Sequence, residues 1–199
     1  MTNELPEDFA RLNLPDELGQ AIIELGFDSC TPAQNEVLPH SLDGKDIIAQ
    51  AQTGTGKTAA FLISIITYDL ENPTYEERDP GTPFALVVAP TRELVIQITK
   101  DARTLTKFTD IEVASLVGGM DYEKQQRALN NSIVDIVVAT PGRLIDFARK
   151  RDVYLDGVES LVIDEADRML DMGFIPDVKS IIRMTPPKEN RQTMLFSAT

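Results

Sequence analysis

The sequence has a single cysteine, Cys30, among 199 residues, so an intrachain disulfide is impossible and a disulfide-stabilised extracellular scaffold is excluded. It has no run of about 18 apolar residues, the length that a membrane-spanning helix needs. Its opening residues 1–6 are neither basic nor apolar, as a secretion signal would require. These absences predict a cytoplasmic protein with neither a signal peptide nor a membrane span.

Basic residues are also scarce, because 19 Lys and Arg stand against 32 Asp and Glu, which gives a net charge of −13 at pH 7. That balance argues against a broad, non-specific grip on a phosphate backbone, so any contact with nucleic acid must be local. The length and the 42% hydrophobic content favour one domain with a sizeable core. We therefore predict no domain boundary inside the chain.

Short apolar runs alternate with longer helical patterns along the sequence. The runs cover residues 46–49, 85–89, 113–117, 136–139, 161–163 and 194–196. Continuous apolar strands between helices predict βαβ units, and hence an α/β domain whose central, mostly parallel sheet has helices on both faces. Ligands of such sheets gather at the carboxyl ends of the strands. The polar, Pro-rich segment 71–83 is predicted to be a solvated loop.

A glycine-rich turn follows the first predicted strand, with the sequence Ala-Gln-Thr-Gly-Thr-Gly-Lys-Thr at residues 51–58. Turned backbone N–H groups, a helix N-terminus and a lysine that neutralises β/γ-phosphate charge are typical of a phosphate-binding loop. The residues assigned to nucleotide binding are Thr53, Gly54, Thr55, Gly56, Lys57 and Thr58, and the Thr58 hydroxyl is assigned to Mg²⁺. The alternative is a glycine-rich turn with a structural role alone.

A carboxylate pair follows the apolar run 161–163, at the position where a P-loop protein holds its magnesium ion. Asp164 is predicted to hold Mg²⁺ through water, and Glu165 to orient or deprotonate the water that attacks the γ-phosphate. Lys57, Asp164 and Glu165 are thus the predicted catalytic residues. The alternative is an acidic helix start that the helix dipole favours.

The full set of motifs resembles the first RecA-like domain of a DEAD-box RNA helicase. In chain order these are Phe9, Gly26-Phe27 with Thr31-Pro32-Ala33-Gln34, the loop 51–58, Pro90-Thr91-Arg92-Glu93-Leu94, Gly118-Gly119, Thr140-Pro141-Gly142-Arg143, Asp164-Glu165-Ala166-Asp167 and Ser197-Ala198-Thr199. Residues 30–32, 168–175 and 194–196 resemble a bacterial subgroup of that family in particular. The resemblance implies a RecA-like helicase ATP-binding domain at residues 1–199, with a Q motif at about 7–35 and the second RecA-like domain absent.

The resemblance also implies a role for each motif. Phe27, Thr31 and Gln34 would select ATP, although Gln34 also completes a capping box and Phe27 also suits a core. Asp167, Ser197 and Thr199 would couple hydrolysis to strand separation. The residues that would bind RNA are Pro90, Thr91, Arg92, Gly118, Gly119, Thr140, Pro141, Gly142 and Arg143. Thr91 and Thr140 are also natural N-caps for the helices that follow them.

The expected function is ATP-dependent RNA unwinding with ATP and Mg²⁺, and the domain alone is expected to bind ATP weakly and hydrolyse it slowly. The expected partners are single-stranded RNA or a short duplex with little sequence preference, a second RecA-like domain of the same protein, and proteins of RNA decay or ribosome assembly, but no membrane. Two alternatives remain: another P-loop NTPase or nucleotide switch, and a non-catalytic module whose acidic surface recruits a protein.

Overall fold

A central sheet of parallel strands organises the chain in this computed structural model, which describes residues 4–52, 54–73 and 78–199. Within those residues the six strands are β1 (Ile47–Gln50), β2 (Ala85–Val88), β3 (Val113–Leu116), β4 (Ile136–Ala139), β5 (Ser160–Ile163) and β6 (Gln192–Ser197). The helices described are α1 (Glu7–Ala10), α2 (Asp16–Leu25), α3 (Pro32–Ser41), α4 (Lys57–Glu71), α5 (Arg92–Leu105), α6 (Tyr122–Asn130), α7 (Pro141–Arg149), α8 (Ala166–Asp171) and α9 (Ile175–Met184).

The strand order is β1-β6-β5-β2-β4-β3, and every neighbouring pair is parallel. The predicted α/β architecture is therefore confirmed, and each predicted apolar run overlaps a strand to within two residues at either end. Because all strands run in one direction, their carboxyl ends meet along one edge of the sheet. We call the residues that follow the six strands there the strand-end edge. The predicted site residues from the P-loop onward that the structure describes lie on it or in the first turns after it.

Helices cover both faces of the sheet and enclose two hydrophobic cores. The first core packs α2, α3, α4 and α5 against one face, with Phe61 and Phe196 in contact at a ring-centroid distance of 5.4 Å. The second packs α6, α7, α8 and α9 against the other face. Each residue of β2, β4 and β5 is buried, as continuous apolar strands predict. Among the described helices, none is both long and apolar enough to cross a membrane.

Local signals in the sequence set the ends of two early helices. α2 ends at Leu25, and Gly26 follows with a φ of 70°, in the left-handed region that glycine adopts without strain. α3 begins with Pro32 after the N-cap Thr31, whose hydroxyl accepts the N–H of Gln34, and the Gln34 side chain accepts the N–H of Thr31 in return. The predicted capping box is confirmed.

A small charged cluster lies beneath the segment that leads into β2. Arg78 forms an ion pair with Asp135 and its guanidinium lies 5.5 Å from the Phe84 ring centroid. The prediction of a solvated loop over 71–83 is thus wrong at its end, where Gly81 and Pro83 are also buried. Nearby, burial raises the pKa of Asp69 to about 6, with Asp135 and Glu159 adding to the rise and Arg78 opposing it.

Candidate functional site

The turn after β1 has the strand–turn–helix form that the sequence predicts. Gly54 and Gly56 have φ values of 81° and 85°, which side chains rarely tolerate. Gly56 is the N-cap of α4, so the free N–H groups and positive dipole end of a 15-residue helix point at the turn. Lys57 and Thr58 occupy its first positions. Thr53, also assigned to this turn, lies outside the described residues.

A buried ion pair joins this turn to the carboxylate after β5. The Nζ of Lys57 lies 2.9 Å from Oδ1 of Asp164, and their side chains are 6% and 0% exposed. Burial raises the pKa of Asp164, while the charge and hydrogen bond of Lys57 and the N–H of Glu165 lower it in part. The structure thus brings together two predicted catalytic residues that are 107 positions apart in the sequence.

The second carboxylate oxygen of Asp164 tests whether this place suits a magnesium ion. Oδ2 is buried and has no hydrogen-bond partner among the described residues. An acceptor left in that state is costly unless a cation or water satisfies it. No cluster of three or more His, Cys, Asp or Glu that could hold a metal occurs in the described ranges. The residues therefore fit Mg²⁺ held through water and phosphate oxygens, as this ion prefers.

Glu165 occupies a strained backbone position directly after Asp164. Its φ is 52°, in the left-handed region that costs a residue with a side chain about 1 kcal/mol or more. The Glu165 carboxylate lies 3.3 Å from Nη1 of Arg168, one helical turn further on. The sequence motifs give Arg168 no role at this site, although the i,i+3 spacing on α8 could have indicated the pair.

Two side chains of the Q motif contact the backbone of the P-loop turn. Thr31 donates its hydroxyl to the carbonyl of Thr55 at 2.7 Å, and Gln34 donates Nε2 to the carbonyl of Gly56 at 3.1 Å. A Cβ on Gly56 would lie 2.5 Å from Nε2 of Gln34, so the close approach itself requires glycine. The capping residues of α3 and the P-loop turn are therefore one connected unit.

Phe27 packs against the core, as the alternative to an adenine-binding role predicts. The ring is half-buried against the first core and stacks on Phe9, with centroids 6.0 Å apart and planes inclined by 28°. Phe9 is fully buried, so it is a core residue that supports Phe27. Cys30 is also buried, which raises the pKa of its thiol to about 11.

Seven of the nine residues assigned to RNA line one cleft of about 470 Å³ on the strand-end edge, which we call the strand-end cleft. They are Pro90, Arg92, Gly118, Thr140, Pro141, Gly142 and Arg143. Gly119 adjoins it with a φ of 73°, and a Cβ there would lie 3.2 Å from Nη1 of Arg92. The remaining residue, Thr91, is the N-cap of α5.

The two helix N-termini at this cleft differ in how they are capped. The hydroxyl of Thr91 accepts the N–H of Leu94, which satisfies one donor of α5. Thr140 takes the N-cap position of α7, but among the described residues its side chain makes no capping hydrogen bond, so the expected cap is only half confirmed. Pro141 follows and has no N–H, so the first N–H groups of α7 belong to Gly142 and Arg143, which line the cleft and lack that cap.

Arg143 is held by two neighbours that no sequence motif identifies. Its Nη1 donates to the carbonyl of Met120 at 3.2 Å, and its guanidinium lies 5.6 Å from the centroid of the Tyr122 ring. Tyr122 in turn stacks on Phe147 at 4.2 Å and donates its hydroxyl to Asp152. Met120 lies between β3 and α6 and Tyr122 begins α6, whereas Arg143 lies on α7, so no sequence spacing links them.

The end of β6 contacts the acidic motif after β5. The hydroxyl of Thr199 donates to Oδ2 of Asp167 at 3.3 Å. Burial raises the pKa of Asp167, yet that pKa lies below its ordinary value because hydrogen bonds outweigh the burial; their donors are the N–H groups of Ala198 and Arg168 and the hydroxyls of Ser197 and Thr199. The N–H of Ala51 also donates to the carbonyl of Ser197, which ties the P-loop turn to the same strand.

Comparisons with known proteins agree with this arrangement. A sequence model of the DEAD/DEAH box helicase family matches residues 31–199. The "ATP-dependent RNA helicase RhlB" of Pseudomonas putida is 60% identical over 191 residues, which cover 96% of this chain and 48% of that protein. The protein of the same name from a Shewanella species is 47% identical over 193 residues, covering 97% and 44%. These names match the bacterial subgroup, the RhlB type, expected from residues 30–32, 168–175 and 194–196.

A solved structure is similar as well. The crystal structure of a hypothetical ATP-dependent RNA helicase from Sulfolobus tokodaii superimposes with a TM-score of 0.81 at 41% identity, over 94% of this chain and 51% of that chain. The chain therefore spans about half the length of the curated relatives and of this structure.

Proposed function

Because the chain belongs to the DEAD/DEAH box helicase family, we propose that it is the ATP-binding domain of an ATP-dependent RNA helicase. In this proposal, ATP binding and hydrolysis are coupled to RNA binding and local duplex unwinding. The observation that carries it is the strand-end edge, where the Lys57–Asp164 pair and the strand-end cleft occupy the same side of one sheet. A nucleotide and a phosphate backbone would therefore bind within one rigid framework.

The nucleotide's phosphates would bind to the N–H groups of the turn and to Lys57. Mg²⁺, where bound, would neutralise phosphate charge, with the Thr58 hydroxyl and, through water, Asp164 as its protein partners. Glu165, fixed by Arg168, would orient the attacking water and take up its proton. The strained φ of Glu165 supports this assignment, because such strain persists where the surroundings demand a side-chain position.

Gln34 would recognise adenine without giving up its cap. A glutamine amide has two N–H donors and an oxygen with two lone pairs. The capping box and the Gly56 contact use one donor and one lone pair. The remaining donor and lone pair suit the N7 and N6 groups of adenine, with Thr31 supporting the turn and Phe27 offering the exposed part of its ring for stacking.

RNA would bind the strand-end cleft through its phosphates. The free N–H groups of α7 and the Thr140 hydroxyl form an anion site, and Arg92 and Arg143 supply the positive charge. The Gly118-Gly119 turn allows a backbone to approach closely. Contacts of this kind read phosphate and sugar, so the proposal includes little sequence preference and marked sensitivity to salt.

Asp167, Ser197 and Thr199 are proposed to couple the two sites. Their hydrogen bonds link the motif that carries Glu165 to the end of β6, which also bonds to Ala51 of the P-loop turn. A change at the nucleotide would thus reach the end of β6, which contacts both the P-loop turn and the motif that carries Glu165. We further propose a second RecA-like domain of the same protein, which would supply arginine fingers, so that residues 1–199 alone bind ATP weakly and hydrolyse it slowly.

Protein partners from RNA decay or ribosome assembly belong to the same proposal. The net charge of −13 supports partners whose docking segments are basic, because opposite charges speed encounter and favour the correct orientation.

The deciding experiment is an RNA-stimulated ATPase assay on the full-length protein. The Glu165→Gln variant should lose about 10²-fold or more in turnover while it keeps ATP and RNA binding, because it removes a general base but little volume. Lys57→Ala should lose nucleotide binding, and Glu189→Gln on the exposed turn before β6 is the matched control. An ATP turnover rate that does not change when RNA is added would favour a nucleotide switch. A Glu165→Gln variant with unchanged turnover would favour a non-catalytic interaction module.

A further inference from the structure

The opposite end of the sheet from β1 carries an open groove that the proposed function does not use. β3 is the last strand there, with α5 on one face and α6 on the other. Two adjoining cavities of about 480 and 560 Å³ lie along it and share Arg103, Ser115 and Met120. We call this surface, lined by β3, α5 and α6, the β3-edge groove.

The groove concentrates positive charge on a chain that is otherwise strongly acidic. Five of the 19 Lys and Arg line it, namely Lys100, Arg103, Lys107, Lys124 and Arg127. Its acidic lining residues are Glu24, Glu112 and Asp121. Glu24 pairs with Lys107, and Asp121 caps α6 by accepting the N–H of Lys124. Among the described residues, Lys100, Arg103, Lys124 and Arg127 form no ion pair, and these four cations favour an anionic ligand.

The free side of β3 is not arranged to accept another strand. Arg103 donates Nη2 to the carbonyl of Val113 at 3.0 Å, at the start of the strand. At its end, Gln125 accepts the N–H of Val117 at 2.8 Å and donates to its carbonyl at 3.2 Å. Side chains thus occupy peptide groups that an added strand would need. An occupant recognised by the surrounding cations fits better than a peptide recognised by its backbone.

The groove is continuous with the strand-end cleft. Met120 borders both cavities of the groove, and its carbonyl accepts Nη1 of Arg143, which lines the cleft. The Gly118-Gly119 turn lies directly between β3 and Met120, and Arg92 approaches it from the cleft side. A phosphate polymer leaving the cleft past this turn would meet Lys124 near the start of α6 and then Arg127 in its last turn.

We propose that the β3-edge groove binds the phosphate backbone of an RNA that extends beyond the strand-end cleft. The inference rests on the proposed function, since it assumes that RNA occupies the cleft. β3 is about 13 Å long, so the groove would bind a small number of phosphates in addition to those in the cleft. These additional phosphates would strengthen the binding of long RNAs but not of short ones, without any preference for base sequence.

The test compares two RNA lengths on the full-length protein with a non-hydrolysable ATP analogue. The probes are labelled oligouridylates, one of about six nucleotides for the cleft and one about three times longer. The variant is Lys124→Gln with Arg127→Gln, both exposed positions. Its control is Lys45→Gln with Lys188→Gln, which removes the same charge beside β1 and β6, at the far edge of the sheet.

The groove variant should bind the long RNA about fivefold more weakly at 0.1 M salt for each phosphate that it no longer neutralises, and the slope of log K against log salt should fall by about 0.7 for each such phosphate. Affinity for the short RNA and both affinities of the control should match the unaltered protein. Arg143→Gln should weaken both lengths, because it acts in the cleft itself.

Three results would overturn the inference. Unchanged long-RNA affinity and slope in the groove variant would refute it and favour an acidic protein segment in the groove. An equal loss in the control would show a general charge effect. If the unaltered protein binds neither RNA, the proposed function fails and this inference fails with it. If the unaltered protein binds both RNAs and the groove variant binds both with the same affinities, the inference alone fails.

Discussion

Replacing Gln34 with alanine tests whether one side chain really joins α3 to the P-loop turn. The substitution removes the acceptor of the Thr31 N–H at 3.0 Å and the donor to the Gly56 carbonyl at 3.1 Å. The backbone N–H of residue 34 keeps its bond to the Thr31 hydroxyl, so half of the capping box survives. The perturbation therefore removes two hydrogen bonds together with the outer part of a side chain that is 3% exposed.

The expected cost follows from those two bonds. Each buried hydrogen bond contributes about 1 kcal/mol net, and partners left unsatisfied cost somewhat more. The higher helix propensity of alanine returns only a few tenths of a kcal/mol. We expect Gln34→Ala to lower the free energy of unfolding by about 2 kcal/mol and the melting temperature by about 4 to 8 °C.

Urea unfolding without nucleotide, at equal m-values, measures this loss. Gln20→Ala on the exposed face of α2 is the matched control and should change stability by less than about 0.5 kcal/mol. If Gln34→Ala is no less stable than the Gln20 control, the two hydrogen bonds do not hold the unit together and the reasoning is wrong.

Three further predictions concern stability and reactivity. Gly56→Ala should lower the free energy of unfolding, measured with a chemical denaturant, by about 2 kcal/mol, which is more than Gly44→Ala should. Both glycines have a positive φ, but of the two only Gly56 lacks room for a Cβ, so equal losses would contradict this reasoning. Asp69→Asn should stabilise the protein by about 1 kcal/mol above pH 6 and by nothing near pH 4. With a native pKa of about 6 against an ordinary value of 3.8, the folded protein holds this proton more tightly than the unfolded chain, so the wild-type free energy of unfolding falls as the pH rises from 3.8 to 6. Partial exposure of the carboxyl reduces the full effect to about 1 kcal/mol. Melting curves across that pH range would show it, and a pH-independent difference would refute it. At about pH 8 the Cys30 thiol of the folded protein should react with a thiol reagent far more slowly than that of the protein unfolded in urea. With a pKa of about 11, only about one Cys30 thiol in a thousand is ionised at that pH in the folded protein, and equal rates would exclude the buried environment.

The strand-end edge could be predicted because its residues follow apolar runs that only a buried strand explains. Asp164 comes directly after a strand whose every residue is buried, and Lys57 begins the helix after β1. Parallel strands bring such positions to one edge whatever their separation in the sequence. Periodicity and strand order therefore predict which residues meet, although not which atoms bond.

The partners of the functional side chains could not be predicted in the same way. Arg143 is held by Met120 and Tyr122, which come from another strand and helix, and their spacing carries no signal. Arg78 lies in a polar segment, yet it pairs with Asp135, because a carboxylate that is 8% exposed needs a cation wherever the chain can supply one. The β3-edge groove combines residues of α2, α5 and α6 and so has no linear motif.

The P-loop turn satisfies much of its own polarity without nucleotide, and this bears on the proposed weakness of the isolated domain. Lys57 is paired with Asp164, and the carbonyls of Thr55 and Gly56 accept hydrogen bonds from the Q motif. A phosphate that takes over Lys57 must compete with a buried carboxylate that has no other cation within the described ranges. Leaving a buried charge without its partner costs about 3 to 5 kcal/mol. Nucleotide binding would recover that cost only if Mg²⁺ satisfied Asp164 as Lys57 moved, so ATP affinity should depend on the metal far more strongly than on either Q-motif hydrogen bond.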